Sequence, residues 1–110
     1  MKIKVVFYKT KTKKVPFREW AADLDNKTRA IVSTRIDRLE DSNFGDCKSI
    51  KGHHGIYELV INYGPGYRVY YGKQGALVVI LLLGGEKKTQ TRDIEKAYRY
   101  WIEYTEENHE

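Results

Sequence analysis

Cysteine, proline and long apolar runs are all scarce in this chain, and each scarcity removes a class of protein. The single cysteine, Cys47, excludes an internal disulfide and fits a reducing compartment. No apolar stretch approaches the roughly 18 to 20 residues that span a bilayer, and the longest, from Ala76 to Leu83, is strand length. The first ten residues, MKIKVVFYKT, have neither the apolar core of a signal peptide nor a small-residue cleavage site, so a cytoplasmic protein is expected. Three histidines and one cysteine do not make a three- or four-ligand metal shell, because the adjacent His53 and His54 rarely both point inward. Gly84-Gly85-Glu-Lys-Lys88 lacks the spacing of a phosphate-cradling loop, and no Ser/His/Asp triad can be assembled. No cofactor or metal is expected.

What is present is an ordinary globular composition, 41% hydrophobic and 32% charged, over 110 residues. That length suits one domain, residues 1–110, with one core of modest size. The net charge is +5 and unevenly spread: residues 1–55 carry 13 Lys and Arg against 7 Asp and Glu, and the remainder 7 against 8. A basic first half suits either a solvated surface or an anionic partner.

Residues 3–8 are rich in β-branched and aromatic types and read as a strand, followed by a basic loop from Lys9 to Lys14. Pro16 fits the first turn of a short helix whose stripe is Phe17, Trp20, Ala21 and Leu24, ending near Asp25. Asp25 or Asn26 can cap a second helix over about 27–42, with Ala30, Ile31, Ile36 and Leu39 inward and Lys27, Arg29, Arg38 and Asp41 outward. After a loop carrying Lys48, Lys51, His53 and His54 come three β-runs, 56–62, 67–72 and 76–83, divided by Gly64-Pro-Gly66 and Lys73-Gln-Gly75. The last run is apolar on both faces and belongs inside a sheet, while the two tyrosine-bearing runs are expected to keep one face partly open. Gly84-Gly85 is expected to end the third run, and Ile94, Ala97, Tyr98 and Trp101 mark a terminal helix. The order β-α-α-β-β-β-α gives an α+β fold with a four-stranded, mostly antiparallel sheet packed with helices.

The residues able to carry chemistry gather around this meander: Lys48, Lys51, His53, His54, Glu58, Arg68, Tyr70, Lys87, Lys88 and Gln90. Arg68 shares a strand face with Tyr70, but whether Glu58 joins them depends on the turn. Pairing of Asn62 with Arg68 brings Glu58 and Arg68 to one face; pairing of Asn62 with Tyr67 separates them. On one face, the set suits metal-free RNA cleavage, in which a base takes the 2′-hydroxyl proton, a cation offsets the phosphorane charge and an acid serves the leaving oxygen. Arginine suits the cation role because its planar fork matches two phosphate oxygens. A plain cross-strand ion pair between Arg68 and Glu58 is the competing reading. The tyrosines read as packing residues with their phenols exposed at the sheet edge.

The segments Phe17-Arg-Glu-Trp20, Asn43-Phe-Gly-Asp46 with Lys48, Tyr57-Glu-Leu59, GPGYRVYY from Gly64 to Tyr71, and LLGGEKKTQTRDI from Leu82 to Ile94 form a pattern that resembles the addiction module killer proteins. That group is similar to the RelE/ParE toxin superfamily and lies close to the HigB-like toxins. The resemblance implies a RelE-like fold and the toxin of a type II toxin–antitoxin pair, with a helix-turn-helix antitoxin as partner. RelE-like members cleave messenger RNA on the ribosome; ParE-like members inhibit DNA gyrase. Arg68 matches the strand arginine that contacts the scissile phosphate, and Glu58 lies where some relatives carry a glutamate thought to act as base. Val60 stands where killer proteins commonly have an arginine, and Lys87, Lys88 and Gln90 occupy the region of the usual acid/base. Lys48, Lys51, His53, His54, Tyr70 and Gln90 are then expected to contact RNA.

Overall fold

The computed structural model describes residues 2–108; the expected domain limits at residues 1 and 110 lie outside them. The elements are β1 (Lys4–Phe7), α1 (Pro16–Ala22), α2 (Asn26–Glu40), β2 (Cys47–Ser49), β3 (Ile56–Ile61), β4 (Tyr67–Gln74), β5 (Val78–Glu86) and α3 (Gln90–Asn108), with a 3₁₀ turn over Lys87–Thr89. They build a five-stranded sheet in the order β1-β5-β4-β3-β2. Only β1, which runs parallel to β5, departs from antiparallel pairing.

The α+β class stands, but the sheet has five strands where four were expected. The addition is β2, three residues without a β-branched side chain, paired antiparallel with β3. Nothing local marks Cys47–Ser49 as a strand; the free edge of β3 supplies its partner.

As expected for a strand apolar on both faces, β5 lies between β1 and β4, with Val79, Ile80, Leu81, Leu82 and Leu83 all buried. Each contributes about 1.5–3 kcal/mol through removal of its side chain from water. α1 and α2 cover one face, on which Phe17, Val32, Leu39, Tyr71, Val79 and Leu81 meet. α3 covers the other through Ala97, Ile94, Tyr98 and Trp101, packed against Tyr70, Ile80, Leu82 and Leu83. The β3 and β4 faces expected to stay partly open are therefore covered on both sides, and Tyr67, Tyr70 and Tyr71 are buried rather than presenting phenols at an edge.

Two details of the helices also differ. In α2, Thr28, Val32 and Leu39 are buried while Ala30 is exposed and Ile31 and Ile36 are half-buried, so the inward stripe is rotated from the expected one. Arg29, expected outward, turns back to donate from Nε to the Ala21 carbonyl at 3.1 Å and from Nη2 to those of Ala22 and Leu24 at 3.1 and 2.6 Å. It thus ties α2 to carbonyls at the end of α1 and in the connection between the two helices. Asp25 caps α2, accepting from the Thr28 amide at 3.4 Å.

Gly84 and Gly85 do not break the strand; β5 continues to Glu86. A β-bulge, with Tyr70 opposite Leu83 but Tyr71 opposite Leu81, sends both Leu82 and Leu83 toward α3 and resets the facing of Gly84, Gly85 and Glu86. Gly84 then receives the Trp20 ring and Gly85 the Asp93 carboxylate. A Cβ at Gly84 would stand 2.1 Å from Trp20 Cε3, and one at Gly85 2.0 Å from Asp93 Oδ2. Glycine inside a strand here marks close approach from both faces.

Gly84→Ala is expected to destabilise the protein by about 1–3 kcal/mol through overpacking against Trp20, read as a lower Tm in thermal melts. A wild-type Tm would mean that Trp20 is not seated on this strand.

Candidate functional site

The β3–β4 connection decides the facing that the sequence left open. Ile61 pairs with Tyr67, Val60 with Arg68 and Glu58 with Tyr70, across a five-residue connection from 62 to 66. Residues directly opposite share a face, as do alternate residues on one strand. Glu58, Val60, Arg68 and Tyr70 therefore all face α3; the register is two residues from the Asn62–Arg68 pairing and so of the same parity.

Arg68 is only 8% exposed and Glu58 5%. Arg68 Nε lies 3.2 Å from Glu58 Oε1, yet no acceptor lies along its N–H, so this contact is coulombic rather than a directed hydrogen bond. Arg68 Nη1 donates to the Tyr67 carbonyl at 3.1 Å. From the start of α3, Gln90 Nε2 donates to Glu58 Oε1 at 3.0 Å and to Oε2 at 3.2 Å. One carboxylate is thus gripped by a strand arginine and a helix amide. A buried ion pair contributes little net stability over apolar residues of similar size, whereas removing one member costs about 3–5 kcal/mol. Stability alone gives this fold no reason to keep a charge here.

Two further groups close the site. The Tyr70 hydroxyl is buried without a hydrogen-bond partner among the described residues. Burial first, then the charges of Asp93 and Glu58, push its ionisation well above the usual tyrosine range, so it holds its proton at neutral pH. Asp93, in the first turn of α3, is 5% exposed and accepts from Thr89 Oγ1 at 2.6 Å, with Arg92 Nε 3.6 Å from its other oxygen. The helix N-terminus favours a carboxylate there. Asp93 was not among the expected site residues; its signal was an acid in the first turn of a helix, eight residues after a Gly-Gly pair inside a strand.

The other expected residues divide. Lys48 is exposed and directly opposite Glu58 across the β2–β3 ladder. Lys87 is exposed, its amide bonded to the Gly66 carbonyl at 3.0 Å, which draws its side chain beside the Gly64-Pro65-Gly66 corner and Arg68. Lys88 is exposed, 3.5 Å from Glu86. These lysines and Gln90 rim the Arg68 end of the sheet. Lys51, His53 and His54 lie elsewhere, in the loop before β3. His53 Nε2 stands 2.6 Å from Glu95 Oε2 and Nδ1 3.3 Å from the Lys51 carbonyl, and the Glu95 contact raises the imidazole's pKa above its ordinary value. Among the described residues no group of three or more His, Cys, Asp or Glu could hold a metal ion, and no helix is long and apolar enough to cross a membrane.

A mixed five-stranded sheet with two helices on one face and a terminal helix on the other is a RelE-type fold. A free-state structure of an arginine-to-alanine double mutant of E. coli toxin RelE matches it with a TM-score of 0.66, covering 90% of this chain and 97% of that chain, at 15% identity. Residues 19–108 match the family described as phage-derived protein Gp49-like (DUF891), and the chain belongs to that family. It is also 48% identical over 82 residues to an uncharacterised Haemophilus influenzae protein, across 74% of this chain and 81% of the relative.

Arg68→Ala is expected to lower stability by about 3–5 kcal/mol by leaving Glu58 buried and unanswered. Arg68→Met combined with Glu58→Gln should recover most of that loss; denaturant melts giving equal losses for both proteins would contradict the ion pair. His53 supplies a pH dependence. Its folded pKa is raised, so its stabilisation is fully present below the unfolded value of 6.5 and is lost as pH rises through the higher folded value. Tm measured across that range should fall in wild type more than in Glu95→Gln.

Proposed function

We propose that this protein is the toxin of a type II toxin–antitoxin pair, acting in the cytoplasm as a ribosome-dependent, metal-independent endoribonuclease on messenger RNA. The observation that carries the reading is Arg68: a guanidinium beside exposed lysines and paired with Glu58, which Gln90 holds in turn, where the killer-protein motif implies a phosphate contact. Its fixed charge offsets the negative charge that grows on the phosphate oxygens as the 2′-hydroxyl attacks. Lys48, Lys87 and Lys88 neutralise the flanking backbone, an attraction that weakens with salt. Glu58 accepts the 2′-hydroxyl proton once its carboxylate leaves Gln90, while bonded being too enclosed to do so; as the 2′-oxygen bonds to phosphorus the bond to the 5′-oxygen breaks, and that oxygen takes its proton from solvent. A cognate helix-turn-helix antitoxin is the partner that restrains the activity. The RelE-type fold and the resemblance of GPGYRVYY and LLGGEKKTQTRDI to killer-protein segments support the toxin class.

A second reading, gyrase inhibition in the manner of ParE, draws on a groove of about 340 Å³ on α2 where Ala30 and Ile31 sit among Lys27, Arg35 and Arg38. That apolar and basic surface suits a protein target.

Induced expression is expected to arrest growth, with new transcript 5′ ends at codon-related positions in primer extension. The folded Arg68→Met/Glu58→Gln protein should be harmless. Arrest by that variant would sink the nuclease reading; altered plasmid supercoiling with intact transcripts would favour gyrase. Absence of arrest by wild type would leave only a non-enzymatic role in an antitoxin-bound repressor.

A further inference from the structure

β4 and α3 contend for the Glu58 carboxylate, and α3 holds it. Gln90 Nε2 donates to both of its oxygens, Oε1 at 3.0 Å and Oε2 at 3.2 Å, so the amide rather than the guanidinium sets the plane of the carboxylate. Arg68 Nε comes within 3.2 Å of Oε1 and still finds no acceptor along its N–H. Directly opposite Glu58 on β4 is Tyr70, whose hydroxyl is also buried and unanswered. Among the described residues these two donors are the buried side-chain nitrogen and oxygen atoms that lack a hydrogen bond, and both belong to residues beside Glu58. Such atoms are few in a folded protein, and each raises the free energy of the state that leaves it unpaired. Two orphan donors beside one carboxylate mark an acceptor that a third donor has taken from them.

The helix does not need that bond in order to stay seated. Lys87 N donates to the Gly66 carbonyl at 3.0 Å, and the Asp93 carboxylate, which accepts from Thr89 Oγ1 at 2.6 Å, rests against Gly85. Gln90 itself is half-buried, so its side chain has a way to solvent while the first turn of α3 keeps its place. With the amide gone, a small turn of the carboxylate aligns Oε1 with Arg68 Nε, exchanging a neutral donor for a cationic one. The Tyr70 hydroxyl, which holds its proton at neutral pH, can donate to the same oxygen. The exchange satisfies both orphans and leaves Oε2 without a protein donor, open to a substrate hydroxyl.

We infer that Gln90 is a latch: its amide holds Glu58 in an arrangement that withholds the carboxylate from RNA, and its departure passes Glu58 to Arg68 and Tyr70. The inference rests on the RNA-directed reading of Arg68 and Glu58, and gives that site its regulation. Gln90 is then a positioning residue that acts through Glu58. One side chain sets the balance between the two arrangements, so an arriving strand that interacts differently with them shifts it.

The test is carbodiimide coupling of glycine ethyl ester to Glu58, read by peptide mass spectrometry, beside cleavage of ribosome-bound message. Gln90→Met keeps the length of the side chain and has no amide. It should melt no lower than wild type, couple at Glu58 on the order of tenfold faster as a minor open state becomes the main one, and cleave faster by a similar factor. Adding Tyr70→Phe, which removes the receiving hydroxyl, should return part of the gain in coupling. Equal coupling at Glu58 in wild type and folded Gln90→Met would overturn the latch, as would slower cleavage by Gln90→Met, the mark of an RNA contact or of a clamp that catalysis needs. Faster coupling with no cleavage by either protein would uphold the latch and overturn the nuclease reading instead.

Discussion

A guanidinium buried under a helix must have its charge answered, and much of this architecture depends on how Arg68 is answered. Withdrawal from water disfavours the ion by several kcal/mol unless carboxylate and carbonyl oxygens replace the lost solvent. Glu58 supplies the countercharge from the neighbouring strand and the Tyr67 carbonyl takes one Nη1 proton. Gln90 keeps Glu58 in position from the first turn of α3, so that turn must lie directly on the sheet. The descent is permitted because Arg68 is opposite Gly85, which has no side chain to hold Asp93 away. The bulge between Tyr70 and Tyr71 is what turns Gly85, rather than Gly84, toward α3.

α3 therefore acts as a clamp with two ends. At its start, Gln90 and Asp93 close over charged and hydroxyl groups that are almost wholly buried, and the exposed chemistry is a rim of lysines. Further along, Trp101 presses on Gly55 and Gly72 while leaving a roomy cleft beside it. One end presents charge fixed by the protein; at the other the indole is packed between the strand backbone and the Tyr104 ring. Both ends lie on one face of the sheet.

The likeness to RelE at 15% identity concerns the scaffold. Folds host unrelated activities, and chemistry has to be argued from side chains. Here the side-chain argument turns on a pair of opposite charges retained where apolar residues would serve stability as well. Membership of the Gp49-like family sets the lineage, and the buried ion pair is the feature on which the proposed phosphate contact rests.

Much of the scaffold was legible in the sequence because local periodicity reports burial. The continuous apolar run of β5, the Phe17–Trp20–Ala21 stripe and the Ile94–Ala97–Tyr98–Trp101 stripe each named an element and its inward side. β2 was not legible, since three residues gain strand geometry only from the edge they pair with, and Gly84-Gly85 misled because local propensity cannot register Trp20 and Asp93 arriving from either side. The candidate site divided the same way. Sequence alone determined that an arginine, a glutamate and a glutamine were available near one turn. Only the tertiary structure decided that Glu58 and Arg68 share a face, that Gln90 joins them, and that His53 and His54 belong to a separate cleft. Side-chain facing alternates with every residue of a strand, so one step of register, set by long-range pairing, reverses it.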